Sequence, residues 1–62
     1  MDKEKAEALY EQGARLWREG DVKGAMTLYA QSAELDPDGA GATALEMARS
    51  IMDFRDESRL NP

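Results

Sequence analysis

The chain has 62 residues, 42% of them hydrophobic, with 13 acidic and 8 basic side chains and a net charge of −5. A chain this short buries only about 60% of its unfolded surface. It therefore makes one small domain, and with no cysteine or histidine neither disulfides nor the usual zinc clusters can staple it. The acidic balance repels phosphate backbones and anionic lipid, which disfavours nucleic-acid and membrane-surface binding and makes a charged protein partner a basic one.

The first element is predicted to be a helix over about residues 3–19. Asp2 is suited to cap it, and Glu4 and Glu7 bring negative charge to the positive end of its dipole. Ala6, Leu9, Gly13 and Leu16 recur at steps of three or four, so they form one apolar stripe. Gly13 inside that stripe costs about 1 kcal/mol of helix propensity relative to Ala. Its expected return is close approach of a second helix at the small residue Ala25.

Gly20 is placed to end this helix in a left-handed conformation, and Asp21 to cap the next at once. A link that short makes the two helices antiparallel. The second helix is predicted over about residues 22–35. Val22, Ala25, Met26, Leu28, Tyr29 and Ala33 give it a broad apolar arc, with Lys23, Thr27, Gln31 and Glu34 outside. Pro37 stops it, having no N–H to donate and disfavouring helical geometry at Asp36.

A glycine-rich link is expected over residues 38–42, followed by a third helix. Either Asp38 caps that helix, or Thr43 does so with Glu46 at capping-box spacing. Ala44, Met47, Ala48, Ile51 and Phe54 form its apolar stripe, and Leu45 and Met52 widen the arc at its edge. Thr43, Glu46, Arg49, Ser50, Asp53, Asp56 and Glu57 form its wet face.

The stretch from Ala6 to Gly39 resembles one tetratricopeptide repeat, a unit of about 34 residues built from two antiparallel helices. Leu9, Gly13 and Leu16 stand where that family has a large, a small and a large apolar residue. Gly20-Asp21 stands at its turn, and Val22, Ala25, Tyr29 and Pro37 match its second helix and closing proline. Gln12 departs from an apolar position and Ser32-Ala33 from a small-then-larger pair, which thins the expected packing. The stretch ALEMARSIMDFRDESRLNP is similar to the C-terminal end of some short bacterial tetratricopeptide proteins. The resemblance implies an all-α fold: a single hairpin over residues 1–39, then a capping helix and short tail over residues 40–62.

It also implies a groove for a protein or peptide partner, lined from the first helix by Tyr10, Ala14, Trp17 and Arg18. On a helical wheel these four lie beside the packed stripe, and Trp and Arg are residue types that dominate binding hot spots. In the plainer alternative Tyr10 and Trp17 roof the core against the third helix. A family that stacks at least three units leaves apolar faces uncovered when one stands alone. Self-association through Met26, Leu45 and Met52 would cover them, so a homo-oligomeric structural module is the rival function. An engineered or minimised repeat is a third reading, against which the off-pattern Gln12, Gly24 and Ser32 argue.

Chemistry is hard to build on this chain. Without His or Cys only carboxylates, Lys, Tyr and Ser remain, and three small helices enclose no deep pocket. No enzyme activity, cofactor or metal is expected. Glu34, Asp36, Asp38 and Gly39 imitate the start of a calcium loop, but its twelfth place holds Leu45, so they read as a helix end, a proline stop and a cap. Gly39-Ala40-Gly41-Ala42 lacks the preceding strand and the Lys-Ser/Thr ending of a phosphate cradle and reads as a linker. No apolar run approaches the roughly 18 residues of a membrane span, and the charged start lacks the apolar stretch of a signal peptide. A soluble, cytoplasmic protein is expected.

Overall fold

A computed structural model describes the backbone of residues 2–60 and the side chains of residues 2–52. It is all-helical among those residues, with α1 spanning Asp2–Glu19, α2 Val22–Leu35 and α3 Ala40–Leu60. The expectations for Asp53, Phe54, Asp56 and Glu57 and for the closing Asn61-Pro62 fall outside the described side chains. No described helix is long and apolar enough to cross a membrane.

Both predicted punctuation marks between α1 and α2 operate. Gly20 has φ 94°, a left-handed geometry that costs a residue with a side chain about 1–2 kcal/mol. Its N–H donates to the Trp17 carbonyl at 3.1 Å, while the Asp21 N–H reaches the Leu16 carbonyl at 2.9 Å. These two bonds satisfy carbonyls that the helix end would otherwise leave open. Asp21 then turns from stop to start, its Oδ1 accepting from the Gly24 N–H at 3.0 Å. Partners fall along α2 as they rise along α1: Ala6 bonds Ser32, Gly13 faces Ala25 and Tyr29, and Leu16 faces Gly24. The hairpin is antiparallel, as the two-residue link requires.

Small side chains make the core. Among the described side chains Ala6, Gly13, Ala25, Ser32, Gly41 and Ala48 are buried, and Tyr29 is the one large side chain that joins them, 5% exposed. Leu9 and Leu16, expected at the centre of the stripe, are half-buried. Gly13 does allow close approach, but what fills the space is chiefly the Tyr29 ring. A Cβ there would stand 2.7 Å from Tyr29 Cε1, against 3.1 Å from the Ala25 carbonyl oxygen.

Ser32 corrects the expectation that Ser32-Ala33 thins the packing. It is only 2% exposed, and its hydroxyl donates to the Ala6 carbonyl at 2.6 Å. A hydroxyl no bulkier than a methyl can be buried where helices touch if it finds an acceptor, and this one does.

The start of α3 also differs from expectation. Neither Asp38 nor Thr43 begins it: the Gly39 N–H closes a turn onto the Asp36 carbonyl at 3.0 Å, and the Gly39 carbonyl takes the first helical bond, from the Thr43 N–H at 3.3 Å. Ala40, Gly41 and Ala42 are therefore the first turn of the helix rather than a linker. Gly41 is there for space, since a Cβ on it would run into the Ser32 side chain. Packing α3 on α2 through Gly41 and Ala48 turns the helix so that Leu45 and Met52 are half-buried, while Met47 and Ile51 stand 61% and 44% exposed. The expected stripe is thus split, with Ala48 buried and Met47 and Ile51 open to solvent, because closest approach selects the small residues of α3 and not its largest apolar ones. α3 packs mainly against α2 and less against α1.

Candidate functional site

The open stripe of α3 and the aromatic face of α1 form the two walls of one groove. Tyr10 and Trp17, seven residues and so about two turns apart, supply one wall. Ala44, Met47, Ala48 and Ile51 supply the other, Tyr29 lines the groove with them, and the space enclosed is about 230 Å³. Tyr10 is fixed in place by a second contact: its ring stacks on that of Tyr29, with centroids 5.9 Å apart and planes inclined by 28°. Burial, and then the neighbouring Tyr10 phenol, raise the Tyr29 hydroxyl above the ordinary 10.0.

Of the four residues assigned to a groove from the sequence, the structure brings Tyr10 and Trp17 together and leaves the other two aside. Ala14 is half-buried and Arg18 exposed, and neither lines the groove. Trp17 and Tyr10 are both half-buried, so α3 faces them across a gap rather than sealing them. Met26, Leu45 and Met52, assigned to self-association, are half-buried. Met47 and Ile51, which the apolar periodicity turns inward, are the exposed large apolar side chains among the described residues. The signal that finds them is Gly41: a glycine four and seven residues before Leu45 and Ala48 marks the face of closest approach, and Met47 and Ile51 lie off that face.

A second hollow of about 500 Å³ adjoins the first and shares Tyr10 with it. It lies between the first turns of α1 and α3, lined by Lys3, Glu4, Ala6, Glu7, Ser32, Asp36, Gly39, Ala40 and Gly41. Lys3, Glu4, Glu7 and Ala40 are exposed, so this hollow is open-sided and polar. Asp36 leans over the start of α3, where its Oδ2 would stand 2.7 Å from a Cβ placed on Gly39. That position suits the partial positive charge of a helix start. Among the described residues no group of three or more His, Cys, Asp or Glu is arranged to hold a metal ion.

Comparison with family models, with curated proteins and with solved structures finds no match for this chain.

Proposed function

We propose that this chain is a non-catalytic protein-binding module of the tetratricopeptide type, a single hairpin closed by a capping helix, acting in the cytoplasm. The observation that carries the reading is the apolar groove whose walls include Trp17 and Tyr10 on α1 and the exposed Met47 and Ile51 on α3. At about 230 Å³ it is smaller than the roughly 300–1,000 Å³ of pockets that enclose whole small molecules. It suits one or two side chains of a larger partner, and aromatic walls are what anchor such contacts. The small-residue contacts of the hairpin, Gly13 on Tyr29 and Ser32 on Ala6, support the resemblance on which the repeat assignment rests.

The exposure of Met47 and Ile51 favours one rival, a second copy of the chain covering the same face. Light scattering on a sizing column, across a wide concentration range, separates the two. A constant monomer mass is expected. A mass that doubles with concentration, and falls back in Met47→Asp, would make the protein a self-assembling module instead.

A further inference from the structure

We propose that the groove takes an extended, cationic and amphipathic peptide, with its apolar side chains held between the Tyr10–Trp17 wall and Met47 and its Arg or Lys side chain over Glu4 and Glu7. This rests on the protein-binding reading and names the chemistry of the partner. Tyr10 lines both the apolar groove and the polar hollow, so the two are one continuous surface with different ends. Glu7, Tyr10 and Trp17 recur at steps of three and seven along α1 and share a face, so a ligand lying along that face meets the charged end and then the apolar one.

The sign of the charged end follows from its lining. Glu4, Glu7 and Asp36 line it together with Lys3, and the starts of α1 and α3 each add about half a positive charge. Three carboxylates outweigh these, with Asp36 already turned to the start of α3 and the exposed Glu4 and Glu7 left at the rim. The whole chain, at −5, carries the same sign and steers the same class of partner. At about 1.5 Å per residue the centre of the apolar wall lies roughly 10 Å from Glu7. An extended chain covers that distance in about three residues.

The probes are capped octapeptides carrying two Arg about three positions from a Leu-Phe pair, in both sequence directions, with counterparts that replace Arg by Glu or Leu-Phe by Ala. Trp17 is the only tryptophan of the chain and lines the groove, so its emission reads occupancy without a label. The Arg peptide is expected to shift that emission saturably. Its affinity should weaken as salt rises, and by about five- to tenfold in the Glu4→Gln/Glu7→Gln double variant, on the scale of two exposed ion pairs.

Equal binding of the Glu peptide, or of the Arg peptide by the double variant, would overturn the cationic assignment while leaving the groove as a protein-binding site. No emission change with any peptide, from a chain that stays monomeric, would overturn the peptide proposal alone. No change together with a mass that rises with concentration would overturn both this proposal and the reading beneath it. Circular dichroism of the double variant checks that it is folded, which exposed positions on α1 lead one to expect.

Discussion

Tyr29 is the residue that ties the close contact of the hairpin to the groove. Its ring fills the space that Gly13 leaves, stacks on Tyr10 and lines the groove, and its hydroxyl titrates above the ordinary phenol value. Gly13→Ala sets two effects against each other. The alanine gains about 1 kcal/mol of helix propensity, but its Cβ would come within 2.7 Å of a ring that is 95% buried and within 3.1 Å of a backbone oxygen. Overpacking of that kind costs about 1–3 kcal/mol, so the variant should lose about 1 kcal/mol net, seen as a melting point lowered by some 4–8 °C. A raised melting point would mean that the ring can swing aside. The phenol makes a second, independent check. In Tyr10→Phe the titration of Tyr29, followed by phenolate absorbance, should move down toward 10.0 without reaching it, because burial is the larger cause of its elevation. For stability the sign is fixed: the folded state resists phenolate formation, so this contribution is intact below pH 10 and declines as pH rises past it. Chemical denaturation of the wild-type chain at pH 9 and then above pH 10 should show the loss on that side only.

At the scale of elements, the contact between Gly41 and Ser32 decides whether α3 docks. Gly41→Ala adds a methyl group that runs into the Ser32 side chain, and the expected result is a destabilised α3 with the hairpin retained. Ser32→Gly alone gives up the hydrogen bond to Ala6, but in its background the cost of Gly41→Ala should shrink, a coupling of about 0.5–3 kcal/mol by double-mutant cycle. Strict additivity would show that the two residues do not meet. The boundaries of α1 and α2 are legible in the residues themselves. Gly20, Asp21 and Pro37 act through backbone geometry that is local, and α1 and α2 end where those residues say. The rotation of α3 was not legible, because apolar periodicity ranks residues by hydrophobicity whereas close helix packing ranks them by size. That is why periodicity puts Met47 and Ile51 in the core while packing leaves them at the surface, and why Gly41 reads as a linker residue but lies in a buried helical turn. The same distinction split the candidate site. Tyr10 and Trp17 are large enough to line a groove wherever they stand beside the packed stripe, whereas the opposite wall depended on how α3 was turned.

The Cα trace is flat, 48 × 23 × 12 Å in its principal extents, and each helix leans chiefly on its neighbour in sequence. α1 and α2 share the most extensive contact, α2 and α3 a lesser one, and α1 and α3 the least. Amide exchange should therefore be slowest in α1 and α2 around Ala6, Ala25 and Tyr29 and faster in α3, as local opening releases the helix with the least contact first. Uniform protection across the three helices would instead mark a single cooperative unit. The order of neighbours also bears on the birth of the protein. Since α1 and α2 find their principal partner in each other, the hairpin can close as soon as Leu35 leaves the ribosome, and α3 then docks onto a surface already formed. At synthesis rates of about 5–20 residues per second, with folding of such local contacts taking microseconds to milliseconds, each step is finished before the next residue is added.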